Sequence, residues 1–177
     1  MTRTQVWIRH GQCLTNLQDK NYSFSSDEQD VLTEKGKAQA NITGLYVKNV
    51  LAQKTCLVSS TLTRAKQTSK IINNIVNESD DNLIVHEKLL IEKMNIESLA
   101  DCAKRVNSFL QRLNRNENYL IVTHGHVLQA LASNVLNLNV KVSDSLIFNN
   151  CGLTIINRSQ KLIALNSISH FPKDLLT

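Results

Sequence analysis

Short apolar runs alternate along the chain with longer stretches in which apolar residues recur at helical spacing. The runs predict six strands, within residues 5–11, 56–59, 83–85, 119–123, 153–156 and 162–165. Runs that are apolar throughout are typical of strands buried on both faces of a sheet. The alternation of strands and helices indicates an α/β fold, with helices on both faces of a mostly parallel sheet.

Local signals indicate where the helices begin and which faces they bury. Thr33 is expected to cap the first helix, and Ser60 or Thr61 the second. Ser98 starts a capping-box pattern for the third. The faces expected to pack inward are Ala38, Ile42, Leu45 and Leu51; Ala65, Thr68, Ile72, Ile75 and Val76; Leu99, Cys102, Val106, Phe109, Leu110 and Leu113; and Leu128, Leu131, Val135 and Leu138. The last two strands are expected to form a hairpin through residues 157–160.

Length and composition suit one ordinary domain over residues 1–177, with 42% hydrophobic residues. The apolar runs are too short to span a bilayer, so no membrane partner is expected. The N-terminus lacks the pattern of a secretory signal, which favours a cytoplasmic location. The cysteines are scattered without a Cys-x-x-Cys pair, which disfavours a zinc site and favours reduced thiols.

The net charge of +5 is compatible with an anionic partner. The basic residues form no dense run, and aromatic residues that could stack on bases make up only 5% of the chain. We therefore expect no nucleic-acid binding. A small anionic or phosphorylated substrate explains the same charge.

Two histidines, His10 and His124, each precede a glycine at the end of an apolar strand. Neighbouring strands of a parallel sheet end at the same edge, so both side chains are expected in one crevice. Arg9 lies there too, and Arg64 is expected to arrive from the start of the helix after the second strand. The free N–H groups of the helix that follows Gly125 favour an anion. Together these residues predict a receptor for a phosphate dianion.

The same residues belong to an ordered set of motifs that resembles the histidine phosphatase superfamily, also called the phosphoglycerate mutase-like family. The matching blocks are residues 9–16 with the Arg-His-Gly signature, 32–40 in the first helix, 59–68 with the second arginine, 123–125 with the second histidine, and 150–154 in the closing strand. An isolated Arg-His-Gly would be a weak signal. Blocks in family order over almost the whole chain are a strong one.

The chain departs from the family pattern at three places. Cys13 stands where Ser or Thr is usual, and Thr61 where Pro is common. Glu92 is expected to be the family's acid. Because the stretch after it does not follow the family, Glu97 is the reserve candidate. Only about thirty residues separate Glu92 from His124, so the large insertion of the glycolytic mutases is absent. The resemblance is closest to the small phosphatase branch.

The resemblance implies a three-layer α/β/α sandwich with a minimal cap, and a phosphatase that acts on phosphomonoesters of small metabolites. His10 would be the nucleophile and would carry the phosphoryl group as phosphohistidine until water releases it. Arg9 and Arg64 would hold the phosphate oxygens in forked contacts. Protonated His124 would add positive charge to the same oxygens. Since these cations can stand in for magnesium, neither a metal nor another cofactor is expected.

The remaining site residues follow from the same resemblance. Asn16 is expected to bind a further phosphate oxygen, and Gly125 and His126 to line the substrate pocket. Glu92 would protonate the leaving alkoxide, a contribution of about 10²–10⁴ to the rate. Cys13 has two interpretations: a thiolate stabilised by the nearby positive field, or a stand-in for the usual hydroxyl, which is the simpler one.

Other functions remain open at this point. One is a phosphoglycerate mutase-type phosphotransferase, a second is a phosphohistidine protein phosphatase, and a third is a non-catalytic phospholigand-binding protein on the same fold. The short middle region argues against the mutase, and the intact His10 against the non-catalytic protein. A cysteine-dependent phosphatase is disfavoured because no cysteine has an arginine six positions later. Specificity is expected from residues 17–31, the stretch after Glu92 and residues 139–149; oligomeric state has no sequence signal.

Overall fold

The computed structural model of the protein describes residues 4–17, 26–50, 55–78, 84–114, 116–157 and 159–176. The strands are β1 (Thr4–Arg9), β2 (Thr55–Ser60), β3 (Ile84–Glu87), β4 (Asn118–Thr123), β5 (Leu153–Asn157) and β6 (Leu162–Ser167). The helices are α1 (Glu34–Val50), α2 (Thr63–Val76), α3 (Leu99–Arg112), α4 (Gly125–Leu136) and the short α5 (Val140–Asp144). Single 3-10 turns lie at Leu14–Asn16, Asp27–Gln29, Lys88–Leu90 and Lys173–Leu175.

The strands form one sheet in the order β3-β2-β4-β1-β5-β6. β3, β2, β4 and β1 are parallel, whereas β5 runs antiparallel to β1 and to β6. The predicted mostly parallel α/β sheet and its closing hairpin are confirmed. α5 was not predicted, because its five residues contain too little apolar periodicity to mark a helix.

Successive residues of β1 point to opposite faces of the sheet, as the pleat requires. Val6 and Ile8 pack with residues of α1 and α2, while Trp7 packs with residues of α3 and α4. The indole of Trp7 meets the ring of Phe109 edge to face, with centroids 5.7 Å apart. Helices therefore cover both faces, and the three-layer arrangement is confirmed.

The predicted inward face of α1 is wrong. Leu45 is 56% exposed, whereas Gln39 and Thr43 are fully buried. The amide of Gln39 is buried with partners for both of its ends, since Oε1 accepts from Gln12 N at 2.9 Å and Nε2 donates to Leu175 O at 2.8 Å. Gly44 lies in close contact with α2, because a Cβ built on it would lie 2.8 Å from Ile75 Cδ1. Helices that approach this closely select small and compact residues at the contact, so hydrophobicity alone does not mark the buried face.

The predicted caps have mixed outcomes. Thr33 Oγ1 accepts a hydrogen bond from Gly36 N at 3.0 Å, and Ser98 Oγ accepts from Asp101 N at 3.1 Å, so both of these caps are confirmed. The predicted cap of α2 is wrong, because the N-cap residue is Leu62. The carboxylate of Asp27 takes that role from another segment, accepting from Thr63 N at 2.8 Å.

Several predicted features lie outside the described residues. They are Leu51 on the first helix face, Leu83 at the start of the third strand, Arg158 in the hairpin turn, residues 79–82 after the second helix, and residues 18–25 of the expected specificity loop. The other predicted faces pack inward: Leu99, Cys102, Val106 and Phe109 are buried on α3, Leu128 and Leu131 on α4, and Ala65, Thr68 and Ile72 on α2.

Candidate active site

The candidate site lies at the sheet edge where β1, β2 and β4 end. Arg9 on β1 is in register with Thr123 on β4, which brings the next residues, His10 and His124, side by side. Their ring centroids are 5.1 Å apart, and both side chains are almost completely buried. The two histidines thus meet where the sequence predicts.

His10 is held in one orientation by hydrogen bonds to both ring nitrogens. Its Nδ1 lies 2.8 Å from Gly11 O, an acceptor, so this nitrogen carries the proton. Arg64 Nε donates to Nε2 at 3.3 Å, which requires a free lone pair there. Burial, reinforced by the charges of Arg9 and Arg64, lowers the pKa of His10 well below its ordinary value. The ring is therefore neutral at neutral pH, with Nε2 facing a guanidinium.

The side chain of His124 contacts Ser60, the last residue of β2. Ser60 Oγ accepts from Leu62 N at 3.3 Å and lies 2.8 Å from His124 Nε2, so its hydroxyl proton is free to reach that nitrogen. Among the residues that the structure describes, His124 Nδ1 has no hydrogen-bond partner although it is buried. Burial and the nearby cationic groups lower the pKa of His124 well below its ordinary value. His124 is therefore neutral at neutral pH, in contrast to the expected protonated form.

Arg64 is anchored by two carboxylates that the sequence did not single out. Its Nη1 lies 3.1 Å from Asp30 Oδ2 and 3.4 Å from Asp27 Oδ1. Asp30 also accepts from Thr15 N at 3.0 Å and from Thr15 Oγ1 at 2.9 Å. Both aspartates come from a polar stretch without periodicity, so only the fold reveals that they meet the arginine.

Arg9 spans the gap between β1 and the segment before β5. Its Nη1 donates to Phe148 O at 2.6 Å. Its Nε is buried and, within the described part of the chain, has no hydrogen-bond partner. A Cβ built on Gly125 would lie 3.8 Å from this Nε, so the first turn of α4 adjoins it. Burial lowers the pKa of Arg9, opposed by the negative charge of Glu92, but a guanidinium in a protein stays charged.

Asn16 is placed beside the backbone of His10 by a second asparagine. Asn150 Nδ2 donates to His10 O at 2.9 Å and to Asn16 Oδ1 at 3.0 Å. Asn16 Oδ1 also accepts from Cys13 N at 3.2 Å. Since the oxygen of Asn16 is engaged, only its amide NH₂ is left to donate to a ligand.

Glu92 and His126 face each other across the site. Glu92 Oε1 accepts from His126 Nδ1 at 3.0 Å and from Lys93 N at 2.9 Å. Burial alone would raise the pKa of Glu92, but these hydrogen bonds and the charge of Arg64 outweigh it and lower the pKa. The hydrogen bond to Glu92 raises the pKa of His126. Glu92 is thus ionised at neutral pH, which differs from the proton-donating form expected of it.

Glu97, the reserve acid, is engaged elsewhere. Arg105 donates to it in a forked pair, Nε to Oε1 at 2.8 Å and Nη2 to Oε2 at 2.8 Å. The remaining nitrogen of Arg105 donates to Leu89 O at 2.6 Å and Ile91 O at 3.0 Å. Of the two candidate acids, Glu92 is therefore the one that contacts His126 and whose pKa the charge of Arg64 lowers.

Cys13 is buried and lies in a polar cluster. Its Sγ is 3.2 Å from Asn16 Oδ1 and 3.3 Å from Thr15 Oγ1. Burial, with Asp30 close by, raises the pKa of the thiol. A raised pKa disfavours the thiolate, and the contacts are those that a serine hydroxyl would make. The simpler interpretation of Cys13 fits the structure.

Among the residues that the structure describes, no group of three or more His, Cys, Asp and Glu side chains is arranged to hold a metal ion. No helix in those ranges is both long enough and apolar enough to cross a membrane.

Two arginines and a helix N-terminus at one sheet edge are suited to binding a phosphate group, and the two histidines lie beside them. A sequence profile of the histidine phosphatase superfamily (branch 1) matches residues 6–92 and 85–169. The chain belongs to this superfamily. Membership supports a phosphatase- or mutase-type activity and leaves the substrate open.

The named relatives of the chain include a phosphatase and a probable phosphoglycerate mutase. The chain is 29% identical, over 81% of its length and 83% of the other, to a Bacillus subtilis protein named "Uncharacterized phosphatase PhoE". It is 25% identical, over 86% of its length and 84% of the other, to "Probable phosphoglycerate mutase GpmB" of Erwinia tasmaniensis. Phosphoserine phosphatase from Entamoeba histolytica, solved with 3-phosphoglyceric acid, superposes with a TM-score of 0.77 at 20% identity, over 95% of this chain and 98% of that one. The last likeness shows the fold alone.

Proposed function

We propose that the protein is a metal-independent phosphatase that hydrolyses a small phosphomonoester through a phosphohistidine on His10. The observation that carries this proposal is the state of His10. One ring nitrogen is held by Gly11 O, and the other, without a proton, faces Arg64 Nε at 3.3 Å. The lone pair of this neutral nitrogen accepts from Arg64, so it becomes available to attack phosphorus once Arg64 donates to a phosphate oxygen instead.

Two buried nitrogens support a phosphate at this place. Arg9 Nε and His124 Nδ1 have no hydrogen-bond partner among the described residues. A buried polar group left unpaired costs about 1–3 kcal/mol, so a native site that keeps two of them calls for a ligand. Phosphate oxygens would give partners to both. A bound dianion would also oppose the cationic field on His124 and favour its protonation.

The other residues complete the site. The amide of Asn16 and the backbone N–H groups at the start of α4 would donate to phosphate oxygens. Glu92 would face the leaving group. Hydrolysis is favoured over the mutase reaction because the part of the chain that the structure describes between Glu92 and His124 has no inserted cap. The residues described there form only a turn, α3 and β4. The named phosphatase and the named probable mutase among the relatives leave this choice to experiment.

Hydrolysis of 4-nitrophenyl phosphate in the presence of a chelator tests the proposal. We expect His10→Ala to abolish turnover, because the substitution removes the nitrogen proposed to accept the phosphoryl group. His86→Ala, at an exposed position of β3, is the matched control and should keep wild-type activity. Full turnover by His10→Ala would refute the proposal. Transfer of the phosphoryl group to phosphoglycerate with no release of inorganic phosphate would instead establish the mutase.

A further inference from the structure

His126 has a position that phosphate binding does not explain. It lies in the first turn of α4, two residues after His124, and its side chain is 45% exposed. Its Nδ1 is directed at Glu92 Oε1, 3.0 Å away, and not at the arginines that would hold a phosphate. A histidine that already contacts the expected acid is placed to exchange a proton with it.

We propose that His126 and Glu92 act as one proton-sharing pair, and that this pair, not Glu92 alone, protonates the leaving oxygen. The inference rests on the proposed function. It further assigns the substrate to alkyl phosphomonoesters, because an alkoxide leaves slowly unless it receives a proton, whereas a nitrophenolate does not need one.

The charges around the pair explain why the proton resides on His126. Glu92 is partly buried and is stabilised as a carboxylate by His126, by Lys93 N and by Arg64. A carboxylic acid in that state would have lost its proton at neutral pH. The hydrogen bond to Glu92 in turn raises the pKa of His126. The pair as a whole therefore retains one proton at a pH where an isolated Glu92 would hold none.

The groups that face the pair come from every element around it. They are Arg9 on β1, Arg64 on α2, Lys93 in the turn before α3, Cys102 and Arg105 on α3, and Asp144 on α5. Lys93 lowers and Asp144 raises the pKa of His126, and neither outweighs Glu92. Glu92 thus determines the direction of the shift.

The proposed step balances in atoms and charge. His10 Nε2 forms a bond to phosphorus while the bond between phosphorus and the ester oxygen breaks, and its electron pair goes to that oxygen. His126 Nδ1 passes its proton to the Glu92 carboxylate, and Glu92 passes that proton on to the departing oxygen. In the second half, the water oxygen forms a bond to phosphorus while the bond between His10 Nε2 and phosphorus breaks and its electron pair returns to Nε2. The proton that the water loses passes through Glu92 to His126. The cycle releases one alcohol and one inorganic phosphate and restores the pair.

The first experiment compares two esters, glycerol 2-phosphate and 4-nitrophenyl phosphate. In His126→Asn the side-chain amide can still donate to Glu92 but carries no titratable proton. We expect the ratio of kcat/KM for the aryl ester to that for the alkyl ester to rise by about 10² in this variant, at the low end of what general acids contribute. His86→Asn, at an exposed position, should leave the ratio unchanged. An equal loss on both esters would mean that His126 only binds phosphate, and would overturn the inference.

The second measurement is the pH profile for the alkyl ester. His126 has a raised pKa, so in the wild type it loses its proton, and activity falls, as pH rises through that value. In His126→Asn we expect the alkaline limb to move to lower pH. An alkaline limb at the same pH in both proteins would overturn the proposed pair.

A third measurement does not depend on activity. In ¹⁵N NMR, the His126 ring should lose its proton at lower pH in Glu92→Gln than in the wild type; equal titration would overturn the pair, even if a variant were inactive.

The two proposals fail in different ways. If the wild type released phosphate from neither ester, the proposed function would fail and this inference with it. If the wild type is active and the ratio does not move in His126→Asn, only the inference fails.

Discussion

Asp30 contacts Arg64, so under the proposed function it would compete with a phosphate for this arginine, and Asp30→Asn tests how strongly. The side chain is almost fully buried, and its carboxylate accepts from Arg64 Nη1 at 3.1 Å and from both Thr15 donors. The substitution keeps the shape and removes the charge. A hydrogen bond to a charged group contributes about 1.5–3 kcal/mol, and Arg64 keeps its contact with Asp27, so we expect the free energy of unfolding to fall by about 2–3 kcal/mol.

Phosphate affinity should change in the opposite direction. A phosphate oxygen in contact with the guanidinium would lie about 3 Å beyond it, hence about 6 Å from the Asp30 carboxylate. Two unit negative charges at about 6 Å repel by about 3 kcal/mol at an effective dielectric constant of about 20. Asp30 also orients Arg64, and the loss of this order offsets part of the gain. We expect a net gain of about 1.4 kcal/mol, a tenfold lower Kd for inorganic phosphate.

Isothermal titration with inorganic phosphate at constant ionic strength measures the affinity, and urea unfolding without phosphate measures the stability. Asp174→Asn makes the same change of charge at an exposed position and should alter neither. Weaker phosphate binding by Asp30→Asn than by the wild type would refute the reasoning. It would show that Asp30 acts mainly by orienting Arg64.

Three further predictions concern protonation and packing. Because the pKa values of His10 and His124 are lowered in the folded protein, the unfolded chain binds more protons than the folded one as pH falls below 6.5. The free energy of unfolding measured with urea should therefore decrease as pH falls through 6.5, and a constant value would contradict the burial argument. Gly44→Ala should lower the free energy of unfolding by about 1–3 kcal/mol, because the new methyl group would overlap the adjacent helix; an unchanged urea midpoint would show that the helices adjust freely. Ser98→Ala should cost about 1 kcal/mol through loss of the N-cap of α3, whereas Ser108→Ala in the exposed middle of that helix should not destabilise; equal effects would rule out the cap.

The sequence predicts the sheet and the meeting of the histidines for a simple physical reason. Strands buried on both faces are apolar throughout, so their ends are sharp, and His10 and His124 mark the ends of two of them. In a parallel sheet this is enough to place both at one edge. The prediction of the inward face of α1 fails because apolar residues do not mark that face. Gly44 packs closely against α2, Gln39 is buried with its amide hydrogen-bonded to other segments, and Leu45 is exposed.

Protonation and ion pairing could not be predicted from the sequence. Asp27 and Asp30 lie in a polar stretch without a pattern, and only the path of the chain brings them to Arg64. The charge on His124 depends on desolvation and on four neighbouring groups at once. Such effects follow from burial and distance, and neither is encoded in a local motif.

The departure from the family pattern after Glu92 has a structural counterpart. Arg105 binds Glu97 and the backbone oxygens of Leu89 and Ile91, and so fixes the segment on both sides of Glu92. A forked, largely buried ion pair holds a segment more rigidly than an exposed one, because both side chains are already ordered. The residues between these anchors are then free to differ: Met94 is 52% exposed and Ile96 is 93% exposed. The departure therefore changes the exposed rim next to the expected leaving-group position and leaves the carboxylate of Glu92 in place.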